Sequence, residues 1–363
     1  MSEFIPAPKP SKTKFDGACV AAADRFVRAN KLLVDSASWG IRTTAILNLF
    51  LWHLEAFAKD SDPIPLFIDA FDKSSELLEN YEKSGAPGGY FGPSGKNRAP
   101  VDFEKHVSGV FSQVWMGMTD DIYFDETFEF TKERFLKNNI NPSDLFGGKV
   151  ILDAGCGSGK FSIALAKFGA KKVVGIDIGD DGLEFARKQQ EKVSYGQKVE
   201  YIYGSTFELP AEDETFDLVW SNGVIHHTLN YEKCVYEFNR VLKKGGTLFL
   251  HVNGSFGLYE LLLDKLREAC VGIPSQLFQA FLFSQGNNSG RVYWIMDCLY
   301  APYEWKSKIE VEQLMSDAGF EDFKQLVRGV SSDPIEMVSQ NLPYADVKYG
   351  DAQLKYLASK AQY

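Results

Sequence analysis

The side chains best placed for chemistry lie between residues 153 and 178. Asp153 ends an apolar run, Gly155, Gly157 and Gly159 follow at alternate positions around Cys156, and Asp177 closes a second apolar run before Ile178. A glycine-rich turn opening a helix can cradle a nucleotide, and a dinucleotide site has the spacing Gly-x-Gly-x-x-Gly with its helix start facing a pyrophosphate. Here the third glycine comes one position early, and Lys160 stands where the last glycine of that pattern would be. Asp153 is the stronger discriminator. A fixed carboxylate beside the turn opposes a pyrophosphate and favours a ligand bearing positive charge, such as one with an ammonium and a sulfonium. Asp177 suits a ribose, whose two hydroxyls can both donate to one carboxylate.

Alternating elements must hold these groups in place. Strands are expected at 149–154, 172–177, 198–203, 216–221 and 246–252, with helices near 159–168, 180–192 and 231–242. That alternation indicates an α/β chain with a mostly parallel, doubly wound sheet and its ligand site at the strand ends. Residues 17–81 have helical spacing and form an N-terminal helical extension (1–84) behind a disordered leader over 1–15. Either capping the pocket or joining two copies in a homodimer would suit this extension. The stretch 84–100 holds five glycines and three prolines and reads as a linker or a flap. Two helical stretches follow, the first with His106 and Trp115, the second from about 126 to 136, on either side of a loop bearing Tyr123. After residue 252 the alternation stops. Residues 255–305 form a helical, aromatic insert, 308–318 a helix, 320–330 a closing strand, and 331–363 a polar tail.

Composition narrows the functional class. The 363 residues carry a net charge of −10, which opposes a nucleic-acid acceptor. The five cysteines are scattered and contain no Cys-x-x-Cys pair, so neither a disulfide framework nor a metal site is expected. The most apolar stretch, 46–58, is too short for a membrane span, which needs about 20 apolar residues. A cytoplasmic protein is the expectation.

The run Leu152-Asp-Ala-Gly-Cys-Gly-Ser-Gly159, followed by Val174-Gly-Ile-Asp-Ile178, resembles the class I S-adenosylmethionine-dependent methyltransferases. Leu209-Pro210, the block from Thr215 to His227 and the block from Glu237 to Thr247 match in the family's order, and the likeness spans about 100–330. It implies a seven-stranded Rossmann-like sheet over 101–330, with S-adenosyl-L-methionine as cofactor and a small-molecule methyl acceptor. An RNA or protein acceptor, or a non-catalytic cofactor-binding protein, are the competing readings. Carried over by position, the turn from Asp153 to Gly159 approaches the methionine part, Asp177 the ribose and Ile178 the adenine. Asn222 and Gly223 line the methyl-transfer side. Where the family often has Gly-Asp, this chain has Gly204-Ser205, so Ser205 or Thr206 would take over the adenine contact.

A general base is needed only if the acceptor must lose a proton. His226 and His227, just past the fourth strand, are the leading base candidates, with His106 a third. For His226 and His227 packing or hydrogen-bonding under the cofactor is the alternative, the more so for His226, and for His106 a pocket-wall or cofactor contact. His53 and His251 read as structural residues. Trp115, Tyr123, Tyr259, Tyr293, Trp294, Asp297 and Tyr303 are candidates for an aromatic acceptor pocket, since such rings give apolar walls and cation–π faces.

Overall fold

The computed structural model describes residues 15, 17–84, 118–331 and 333–362. The leader over 1–14, the glycine–proline segment 85–100, His106 and Trp115 lie outside the described residues. The chain divides into two compact units.

The first unit is a seven-stranded sheet in the order β3-β2-β1-β4-β5-β7-β6. Its strands are β1 (Val150–Ala154), β2 (Lys172–Asp177), β3 (Val199–Tyr203), β4 (Phe216–Asn222), β5 (Leu242–Asn253), β6 (Phe320–Gln325) and β7 (Gln353–Lys360). The first five run parallel, β7 lies antiparallel between β5 and β6, and helices cover both faces. Strand order reverses at β1, so β1 and β4 are neighbours, and loops leaving them diverge around a crevice. On one face Trp220 stacks on Phe249, ring centroids 3.9 Å apart, under Phe135 of the helix Thr127–Lys137. The other face packs Val219, Leu248 and Leu250 in one core with Val235 and Phe238 of the helix Tyr231–Val241.

The fold departs from the sequence expectation in three places. The polar tail over 331–363 contains β7, an interior strand of the sheet. Its inward-facing Lys355, fully buried, disguises the apolar alternation by which a strand is recognised. β5 begins at Leu242, ahead of the expected 246, because the Lys243–Gly246 stretch joins the strand across a register shift opposite Phe216 and Leu218. The loop bearing Tyr123 is a π-helical turn, Asp121–Glu126, leading directly into the next helix.

The second unit is helical and assembled from three stretches of chain: the N-terminal region, Ser255–Ala301 and Asn341–Gly350. Its N-terminal helices are Gly17–Leu32, Trp39–Phe57 and Pro63–Lys83, and the insert adds Leu258–Cys270, Ser275–Ser284 and Ser289–Tyr300. Pro63 sits at the first helical position after Asp62, whose carboxylate accepts from the Ile64 amide at 3.0 Å. Buried Arg42 joins the two sets. Its guanidinium donates to Asn30 Oδ1 and to the carbonyls of Ala269 and Val271 at 3.0 and 2.8 Å. These carbonyls end a helix, where backbone acceptors lack intrahelical donors and a cation is favourable. Among the described residues no helix is long and apolar enough to cross a membrane.

Candidate active site

The expected cofactor residues gather at the C-terminal edge of the parallel strands. The turn after β1 is shaped by backbone geometry. Gly155 and Gly159 both have φ near +79°, and a Cβ at Gly155 would lie 2.3 Å from Val224 Cγ1. A side chain there would meet both strain and a clash, which explains why glycine is required. Gly159 opens the helix Lys160–Lys167, and the Tyr123 hydroxyl donates to the Ser158 carbonyl at 2.8 Å, bracing the turn from outside.

Two acids flank this turn. Asp153 is 2% exposed and accepts from Ser162, whose Oγ lies 2.6 Å away and whose backbone amide also donates to it. Burial, reinforced by the nearby Asp177 charge, pushes its pKa up to about 7. Asp177 accepts from the amides of Gly157 and Gly179, each at 2.8 Å, and burial raises its pKa against those donors. Neither acid makes an ion pair with another described residue. A buried and a half-buried carboxylate repelling each other form a site that a cation relieves.

On the β4 side, Asn222 Oδ1 lies 3.0 Å from His251 Nδ1, and the Gly223 amide donates to the His251 carbonyl at 2.9 Å. A Cβ at Gly223 would meet nothing within 4 Å among the described residues. Past it, His226 and His227 occupy a short 3-10 turn, their rings 4.1 Å apart. His227 Nδ1 lies 2.7 Å from the Pro302 carbonyl oxygen, and Tyr303 packs edge-on to His227 at 4.4 Å and beside His226 at 4.9 Å. A carbonyl can only accept, so Nδ1 carries the hydrogen, and in the neutral ring Nε2 carries the lone pair.

Residues 152–250 match the methyltransferase domain family. A 27-O-demethylrifamycin SV methyltransferase of Amycolatopsis mediterranei is 30% identical over 188 residues, 49% of this chain and 69% of that protein. The chain belongs to the class I S-adenosylmethionine-dependent methyltransferases. A demethylmenaquinone methyltransferase of Oceanobacillus iheyensis is 28% identical over 247 residues, 64% of this chain and 95% of that protein. A sterol 24-C-methyltransferase of Eremothecium gossypii is 28% identical over a shorter stretch, 39% of this chain and 36% of that protein. S-adenosyl-L-methionine is the cofactor of this methyltransferase, and the residues present fit it. Asp153 suits its positive charge, Asp177 can accept from its ribose hydroxyls, and the glycine turn brings backbone close without side chains.

The other expected residues separate. Thr206 is buried, with its hydroxyl 3.5 Å from Cys234 Sγ, whereas Ser205 is half-buried and pairs with Glu208 in an isolated bridge. Ser205 is therefore the better placed of the two. Cys156 is a buried thiol whose pKa burial pushes well above its ordinary value, consistent with a filler of the turn. Tyr123, expected in the acceptor pocket, is fully buried and spends its hydroxyl on the turn. Tyr259, Tyr293, Trp294 and Asp297 belong to the helical unit, where Tyr259 and Trp294 pack on His53 and the Tyr259 hydroxyl meets Cys298 Sγ at 3.4 Å. Of the insert's candidates, Tyr303 falls in the sheet unit, against the histidine pair. Sequence reasoning missed Ser162 and set His251 aside as structural. Pairing β4 with β5 in register was the only signal that could have placed His251 beside Asn222.

Proposed function

We propose that this methyltransferase acts on a small molecule, at a hydroxyl or an activated carbon, with His227 as general base. The observation that carries the reading is the 2.7 Å contact of His227 Nδ1 with the Pro302 carbonyl, which puts the ring hydrogen on Nδ1 and makes Nε2 the basic nitrogen of the neutral ring. The bound cofactor supplies a methyl group on a sulfonium, open to in-line displacement by an aligned acceptor. The protein's part is then to hold the two reactants in line and remove the acceptor's proton. Asp153, the 155–159 turn and Asp177 fix the cofactor, with Ile178 and Ser205 on its adenine side and Asn222 and Gly223 towards the methyl. Tyr303, stacked on Trp305 with centroids 5.2 Å apart, gives an apolar wall beside the base. The relatives named for rifamycin, menaquinone and sterol acceptors support a small molecule, and the net charge of −10 opposes a phosphate backbone.

The test is metabolite methylation with isotopically labelled cofactor, comparing wild type, Asp153→Ala and His227→Gln. Label reaching one acceptor with wild type alone identifies the substrate. His227→Gln should lower kcat by about 10²–10⁴ and leave S-adenosylhomocysteine affinity unchanged. An unchanged kcat would reduce His227 to a packing residue.

A further inference from the structure

A polar row crosses the sheet one pleat beyond the stacked Trp220 and Phe249. Asn222 of β4 pairs in register with His251 of β5, and His251 with Lys355 of β7, so their side chains share one face. At its far end Lys355 Nζ donates to Asp333 Oδ2 at 3.0 Å and to Gln353 Oε1 at 2.7 Å. Arg134 Nη2 donates to the same Asp333 oxygen at 3.0 Å. Two basic groups share one carboxylate; burial and the Arg134 charge push the Lys355 pKa down to about 7, so the cluster beside His251 is net positive below that pH.

We propose that His251 is a positioning residue for methyl transfer: its imidazole N–H locks the Asn222 amide so that the NH₂ group is presented as a donor at the end of β4. This rests on reading Asn222 as a cofactor residue, and the acceptor for that NH₂ is a carboxylate oxygen of the cofactor's methionine part.

The direction of the lock follows from three facts. His251 stays neutral, because burial and the charges of Lys355 and Arg134 hold its pKa well below the ordinary value. A neutral ring has one N–H, and His251 Nε2 is buried with no hydrogen-bond partner among the described residues. Placing the hydrogen on Nε2 would orphan a buried donor beside two cations, whereas a lone pair there faces favourable positive charge. The hydrogen therefore sits on Nδ1 and donates to Asn222 Oδ1, and the amide nitrogen points away from the row. The Gly223 amide, held by the His251 carbonyl, fixes the next residue as well.

Calorimetric titration with S-adenosylhomocysteine tests the assignment in wild type, His251→Phe, His251→Gln, Asn222→Ala and the His251→Phe/Asn222→Ala double variant. His251→Phe should weaken binding roughly tenfold. His251→Gln, which keeps an N–H donor, should recover most of that loss, and His251→Phe should cost less than about twofold once Asn222 is alanine. A full loss in the Asn222→Ala background, or no recovery with glutamine, would overturn the proposal and leave a structural histidine. Wild type that fails to bind S-adenosylhomocysteine would instead overturn the cofactor reading beneath it. Imidazole nitrogen shifts in unmodified protein give a check free of folding effects: a protonated Nδ1 is expected, and a protonated Nε2 contradicts the lock.

Discussion

The sheet unit buries acids in two places and treats them oppositely. Beside the glycine turn, Asp153 and Asp177 lie close enough to raise each other's cost, and neither has a cationic partner among the described residues. Beneath β7, Asp333 is clasped by Lys355 and Arg134, and their charges hold its pKa below the usual carboxylate range despite burial. One region lacks a basic partner among the described residues and the other supplies two. The second is complete within the fold, and the first is the one we propose a cationic ligand completes. A buried acid thus marks a binding site by what its surroundings fail to supply.

Removing an acid from each region should have opposite effects on stability. Asp333→Ala takes the shared carboxylate from buried Arg134 and Lys355 and should cost about 3–5 kcal/mol in urea unfolding. Adding Lys355→Met should recover much of that loss, because an apolar side chain of similar volume needs no counter-charge. Asp153→Asn should raise the stability of the ligand-free protein at pH 8 by roughly 1–2 kcal/mol and weaken S-adenosylhomocysteine about tenfold. A loss of stability there would erase the contrast between the regions.

The pH dependence of the ligand-free protein sharpens the same point. Asp153 titrates at about 7 when folded and near 3.9 when unfolded, so between those values the folded chain holds a proton that the unfolded chain has lost. Its contribution to stability is full below pH 4 and is lost as pH rises through 7. The difference in stability between Asp153→Asn and wild type should therefore grow between pH 4 and 7, measured by unfolding at each pH. Ser162→Ala should have the smallest effect, about 0.5–1.5 kcal/mol, moving the Asp153 titration to higher pH by removing its hydroxyl donor while the Ser162 backbone donor stays.

How much of this was legible depended on distance along the chain. The glycine turn, Asp177, Asn222 and the histidine pair each sit within a few residues of a strand end, so strand positions alone placed them at one edge. The helical spacing of 17–81 was legible too, but its union with the 255–305 insert through Arg42 was not, since backbone carbonyls leave no mark in a sequence. The positive cluster was hidden most completely. Arg134, Asp333 and Lys355 come from a helix, a loop and the last strand, and each alone reads as a solvated surface charge. The lysine that completes the cluster also made its own strand look like a polar tail.

The most direct test of the central claim is the affinity for S-adenosyl-L-methionine of wild type and Asp153→Asn between pH 6 and 8. Comparing the two at each pH cancels any titration of the ligand itself. If the buried acid is reserved for the cationic cofactor, the wild-type advantage should grow as Asp153 ionises, by up to about tenfold per pH unit below 7, and level off above it. An advantage that is constant across that range, or that shrinks as pH rises, would contradict the account.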